Sequence, residues 1–233
     1  MDSFCRGNLV FDVIDEGPAD GPVVVLLHGF PQLNTVWHAV ISSLTANGYR
    51  CLAPNQRGYS RSARPTRRRD YRGAEFVEDI RALIDASGAR RVHLVGHDWG
   101  AGVAWGAATL LPERLASLSA LSVPHPAALF GAMATSRQAL ASWYIALFQL
   151  PWLPEWFLLG RPPSGARLSQ RLQSMTNQRA AAADRDAVAM AEPSALTAAL
   201  NGYRALALSD PRGTGAKVAV PTMYVWSDRD TAV

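Results

Sequence analysis

Five consecutive residues, Gly96-His97-Asp98-Trp99-Gly100, have the types and spacing of a nucleophilic site. Glycine two residues before and two after a carboxylate fits a strand-to-helix turn so tight that larger side chains would collide there. Such a turn strains the backbone of its central residue. It also sets Asp98 at a helix N-terminus, where the dipole favours the ionised form. The competing reading is an Asp that merely caps an ordinary helix. A carboxylate needs no base to act as a nucleophile at neutral pH, whereas a serine hydroxyl does. It suits displacement at saturated carbon, which leaves an alkyl-enzyme ester. Water then attacks the carbonyl of that ester, and the oxyanion that develops needs hydrogen-bond donors.

The residues around the pentapeptide read as the elements that would position it. Residues 91–95 form a strand entering it, and residues 100–111 a helix rich in Ala, Gly and Val that can pack closely on a sheet. Residues 22–27 (PVVVLL) are a β-branched run typical of a strand buried on both faces. Residues 35–46 carry helical spacing at Val36, Val40, Ile41 and Leu44, and Gly48 ends them. Further strands are expected at 49–53, 115–123 and 218–226. An amphipathic helix over 74–86 has Phe76, Ile80, Leu83 and Ile84 on one face. Strands alternating with helices indicate an α/β fold with a mostly parallel sheet covered on both faces. Residues from about 124 to 215 break the alternation. They show two helical patterns, 136–150 and 194–206, and read as a helical lobe inserted between two strands. A separate helical domain is the alternative, and the apolar strand at 218–226 argues against it.

At this point the sequence resembles the α/β-hydrolase superfamily, specifically its epoxide hydrolase branch with haloalkane dehalogenase relatives. His28-Gly29-Phe30-Pro31 resembles the HGxP loop of that branch, and Gly96 to Gly100 its GHDWG turn. The resemblance implies a core over residues 1–123 and 216–233 with a helical cap over 124–215. It implies Asp98 as nucleophile, and the backbone N–H groups of Phe30 and Trp99 as the oxyanion donors. It also implies hydrolysis of an epoxide to a diol without metal or organic cofactor.

Opening an epoxide releases an alkoxide, and the branch uses two cap tyrosines as hydrogen-bond donors to it. Tyr144, before Phe148-Gln149-Leu150-Pro151, resembles the first, and Tyr203, in Asn201-Gly202-Tyr203-Arg204, the second. Either tyrosine alone would read equally well as a core aromatic of its helix. The family often has an aromatic residue where this chain has Gly202, so the pocket is expected to differ there. A haloalkane dehalogenase is the alternative activity. Trp99 would suit a halide, but Phe30 stands where one dehalogenase group has Asn. A cap tryptophan (Trp143, Trp152 or Trp156) leaves another dehalogenase pattern open, and the tyrosine pair favours epoxides.

The resemblance also implies an acid that orients a catalytic histidine. Asp230 follows the strand at 218–226 as the family's acid does, and Asp228 competes with it. The five histidines, His28, His38, His93, His97 and His125, all precede Asp230. The catalytic histidine is expected after it, so turnover is expected to need a His not present in this chain. The last strand and helix of the fold are likewise expected to be absent. A truncated, non-catalytic pseudo-hydrolase is the reading from a different class.

Composition sets the remaining bounds. The 233 residues are 48% hydrophobic, enough for a sizeable core, with a net charge of +4. No run approaches the ~18 uninterrupted apolar residues of a membrane span. The N-terminal residues lack a signal-peptide pattern, and Cys5 and Cys51 are far apart, so a cytoplasmic setting is expected. Seven arginines (57, 61, 64, 67, 68, 69 and 72) crowd one segment. A solvated loop is the expectation there, rather than a nucleic-acid patch. The expected partner is a small apolar epoxide-type substrate, in keeping with the Trp-rich cap, with neither nucleic acid nor membrane.

Overall fold

A computed structural model describes residues 1–136, 138–176, 178–209 and 216–227. Strands β1 (Ser3–Arg6), β2 (Leu9–Glu16), β3 (Val23–Leu27), β4 (Arg50–Pro54), β5 (Val92–His97), β6 (Leu115–Leu121) and β7 (Thr222–Val225) form one sheet. Their order is β1-β2-β4-β3-β5-β6-β7. β1 and β2 are antiparallel to each other, and β2 is antiparallel to β4. All pairs from β4 through β7 are parallel. This is an α/β-hydrolase fold.

The sheet is covered on both sides because its central strand β3 has no polar face. Every residue of β3 is buried. Val24 and Leu26 pack with Ile41 of α1 (His38–Ala46) on one side. Val25 and Leu27 pack on the other with α2 (Gly73–Ser87) and α3 (Trp99–Leu110). α2 buries Phe76, Val77, Ile80, Leu83 and Ile84 and ends on Gly88 at φ 75°, a left-handed position suited to glycine. α3 meets the sheet through Ala101, Ala104, Ala107 and Ala108, whose small side chains allow close approach.

Three sequence expectations are corrected. The β1–β2 hairpin is an addition to the expected strands; it turns at Gly7-Asn8 (Gly7 φ 59°) and buries alternate residues Phe11 and Val13. The last strand is shorter than 218–226, because Pro221 has no N–H for the ladder and pairing begins at Thr222. The stretch between β6 and β7 holds seven helices among the described residues, not two. They are α4 (Pro126–Thr135), α5 (Gln138–Ala141), α6 (Trp143–Gln149), α7 (Leu153–Leu159), α8 (Gly165–Thr176), α9 (Ala180–Met190) and α10 (Ala195–Arg204). Ser142 interrupts the first expected pattern. α9 has a weak sequence signal because its buried face is small or polar, Ala183, Asp186 and Ala187, with only Met190 large and apolar. α6 to α10 share an apolar cluster, which Tyr59 joins from the segment after β4.

The arginine-rich segment is not a uniformly solvated loop. Arg57 is buried in a two-bond ion pair with Asp79, at 2.6 and 2.8 Å. Arg64 donates to Tyr59 O and Glu192, and Arg61 joins it on Glu192 across the boundary with the helical segment. No helix of the described residues is long and apolar enough to cross a membrane.

Candidate active site

The turn after β5 has the anticipated geometry. Asp98 adopts φ 51°, ψ −120°, a conformation that L-residues rarely hold and that costs about 1–3 kcal/mol. The flanking glycines show why. A Cβ on Gly96 would run into the Gly100 carbonyl, and one on Gly100 into the carbonyls of Leu27 and His28. Asp98 is the N-cap residue of α3, at the positive end of that helix dipole.

The loop after β3 meets Asp98 from the side. The Phe30 N–H donates to Asp98 Oδ2 at 2.9 Å. Gly29 permits this approach, since a Cβ there would lie 2.6 Å from Asp98 Cβ. Trp99 is the first residue of α3, so its amide lacks an intrahelical acceptor. His28 anchors the loop from below. It is wholly buried, with Nδ1 3.0 Å from Gly29 O and Nε2 accepting the Gln56 N–H at 3.1 Å. The Gln56 side chain donates to His28 O at 2.6 Å. Burial depresses the His28 pKa to about 4, opposed by the Gly29 bond and reinforced by His97. The ring is therefore neutral at pH 7, with its proton on Nδ1.

The two sequence-predicted tyrosines come together above this loop. Tyr203 packs on Trp99 (ring centroids 4.7 Å), Phe30 (5.3 Å) and Phe148 (5.1 Å), with Tyr144 6.3 Å away. Burial raises the Tyr203 phenol well above its usual pKa, and the charge of Asp98 adds to this. It is a neutral donor at any ordinary pH. The two helices that carry these tyrosines are tied together. Gln149 donates to Tyr203 O at 2.9 Å, and Arg204 donates to the carbonyls of Phe148 (3.0 Å) and Leu150 (2.8 Å). Arg204 is held in turn by Glu155 at 2.8 Å.

Sequence reasoning missed several of these residues. Tyr59 is another buried phenol near this loop, edge-on to His28 at 4.5 Å. Burial raises its pKa, followed by the charges of Asp98 and Asp186. Asp186 of α9 is fully buried and receives a 2.5 Å bond from Gln178, and burial pushes its carboxyl pKa up. Arg204 and Gln149 lie beside the two tyrosines in the sequence, yet only the packing reveals their roles. Asp230 and its competitor Asp228 lie outside the described residues. Of the histidines, His93 pairs with the Ser117 hydroxyl and His125 with Ala216 O, while His38 is exposed at the start of α1. Among the described residues, no group of three or more His, Cys, Asp or Glu is arranged to hold a metal ion.

Comparison with known proteins fits this architecture. Residues 22–233 match the family model described as the alpha/beta hydrolase fold. The chain is 37% identical to the AB hydrolase superfamily protein YfhM of Bacillus subtilis, over 95% of this chain and 78% of that protein. It is 46% identical to Epoxide hydrolase B of Mycobacterium tuberculosis, over 52% of this chain and 34% of that protein. The crystal structure of Epoxide Hydrolase A from Mycobacterium thermoresistibile superposes with a TM-score of 0.79 at 28% identity, covering 95% of this chain and 80% of that one. Matches to several named epoxide hydrolases span half their length or less. The chain belongs to the α/β-hydrolase fold family, and within it to the epoxide hydrolase branch.

Proposed function

We propose that this protein opens apolar epoxides through a covalent ester on Asp98, with α4–α10 serving as a cap over a core of residues 1–123 and 216–233. The observation that carries the reading is the convergence of Phe30 N–H on Asp98 Oδ2 with Tyr203 and Tyr144 packed above it. Oδ2 already sits on an oxyanion donor, so it becomes the ester carbonyl, and Oδ1 is the oxygen that attacks carbon. As the C–O bond of the epoxide breaks, a tyrosine phenol donates its proton to the leaving oxygen. The product is a hydroxyalkyl ester of Asp98.

Release needs water to add to the ester carbonyl. The tetrahedral oxyanion would rest on the amides of Phe30 and Trp99, and its collapse expels the alkoxide, which takes the proton of the carboxyl so that the carboxylate and the diol result, while the proton lost by the water restores the tyrosine. The water must lose a proton to a base. By resemblance that base is a histidine paired with Asp230. His28 is unsuited to the role, because both its ring nitrogens are engaged and its pKa is about 4. Alkylation and release are therefore separable, and without such a base the reaction is expected to stop at the ester.

Incubation with styrene oxide followed by intact-protein mass spectrometry tests this. One added epoxide mass, mapped to Asp98 and absent in Asp98→Asn, is the expected result. Folded protein that gains no adduct, or an undiminished adduct in Asp98→Asn, would sink it.

A further inference from the structure

α10 carries Tyr203, and the way this helix docks on the core is unusual in its closeness. At Gly58, held at φ 95°, a Cβ would stand 2.8 Å from the carbonyl oxygen of Ala198. One turn further along α10, a Cβ on Gly202 would stand 2.8 Å from Trp99 Cζ2 and 3.2 Å from Cε2. Ala198 and Gly202 are four residues apart and so share one face of the helix. Two backbone-level contacts on one face fix both the height and the rotation of a rigid helix. The indole of Trp99 has little room to give way. Phe76 meets it edge-on at 5.7 Å and Tyr203 lies 4.7 Å away. It packs against both the sheet core and the apolar cluster of the helical segment.

We propose that Gly202 is a positioning residue for Tyr203: its missing side chain lets the Trp99 indole seat directly on α10, and this contact, with Gly58 on Ala198, sets the phenol above Asp98. Trp99 then has two roles, an amide aimed at the ester and a ring that bears the cap helix. The inference rests on the epoxide reading for its effect on rate, and on sterics alone for its effect on packing. A shift of α10 by about 1 Å would misplace the donor and cost on the order of 10- to 100-fold in the ring-opening step.

The test is a cycle in the full-length protein: wild type, Gly202→Ala, Trp99→Phe and the double variant. Phenylalanine lacks the fused ring that carries Cζ2 and Cη2, so it removes the obstacle. Two quantities are read, the rate of Asp98 alkylation by styrene oxide and the thermal midpoint. Gly202→Ala is expected to slow alkylation at least about tenfold when Trp99 is intact and less than about twofold when it is added to Trp99→Phe. It should lower the midpoint only where Trp99 is present. Equal effects of Gly202→Ala in both backgrounds, or none in either, overturn the positioning role. Wild type that never alkylates refutes the epoxide reading instead, and the midpoint cycle still decides whether Gly202 and Trp99 are coupled.

Discussion

Protonation of His28 should cost this protein stability at mildly acidic pH. The imidazole has an ordinary pKa of 6.5 when unfolded and about 4 in its buried site. The folded value is the lower one, so between these limits the unfolded chain binds the proton and the folded chain does not. The contribution is complete above pH 6.5, falls as pH drops towards 4, and changes no further below that. Each unit of pKa difference is worth about 1.36 kcal/mol, so the loss reaches about 3 kcal/mol near pH 4 and about 2 kcal/mol at pH 5. The main cause is burial of the ring, which disfavours the charged form, with the charge of His97 adding to it; a protonated Nε2 also cannot accept the Gln56 N–H that anchors the loop carrying Phe30. Urea unfolding at pH 8 and pH 5 for wild type and His28→Gln measures it. Wild type should lose about 2 kcal/mol more than the variant, because other titrations cancel in the difference. Parallel losses would refute the argument. If His28→Gln does not fold, the imidazole titration of wild type by NMR decides the matter: a His28 pKa near the ordinary 6.5 contradicts the neutral, buried ring.

Other consequences follow from single contacts. Tyr203→Phe and Tyr144→Phe should each slow alkylation of Asp98 by on the order of 100-fold without altering the fold, read by mass spectrometry and circular dichroism; unchanged rates in both would remove the tyrosines from the mechanism. Gly29→Ala places a Cβ 2.6 Å from that of Asp98 and should abolish adduct formation while leaving most of the stability, since the collision is local. An alkylation rate within about twofold of wild type would show that the loop has slack. Arg57→Met leaves the buried Asp79 only the half-exposed Arg6, at 3.0 Å, and its carboxyl pKa is already raised by burial against the pull of Arg57 and Arg6. It should cost about 3–5 kcal/mol in denaturant unfolding, and Arg57→Met with Asp79→Leu should recover much of it.

What could be read from the sequence divides by how local the cause is. β3 and the turn at Asp98 are legible because their physics lies in a few adjacent residues: five apolar residues in a row, and two glycines whose absent Cβ atoms would strike neighbouring carbonyls. The hairpin β1–β2 carries an equally local signal, a Gly-Asn turn between alternating strands, but its strands are only half apolar and so do not stand out as buried runs. The arginine segment misleads because its composition looks solvated. Its first member, Arg57, is buried against Asp79, a residue 22 positions away on the inner side of α2. Nothing in the run of arginines distinguishes Arg57 from Arg68.

The site divides in the same way. Its core half, Asp98 with Phe30 and Trp99, follows from two short motifs joined by parallel pairing of β3 with β5, which brings Leu27 beside Gly96. Its other half, on the helices between β6 and β7, depends on contacts across some 50 residues, as from Arg204 back to Leu150. Tyr144 and Tyr203 are each one aromatic on one helix, and the sequence leaves open whether they meet. They meet because Arg204 directs its donors to Phe148, Leu150 and Glu155, and Gln149 reaches the carbonyl of Tyr203 itself. The arginine is almost fully buried, so each of these bonds replaces water the guanidinium gave up. The two tyrosines are thus held as one unit, and α10 meets the rest of the protein closely where Gly202 meets Trp99 and Gly58 meets Ala198. The distance from phenol to carboxylate is set by those two points. A pocket of different shape would be reached more readily by changing them than by changing either tyrosine.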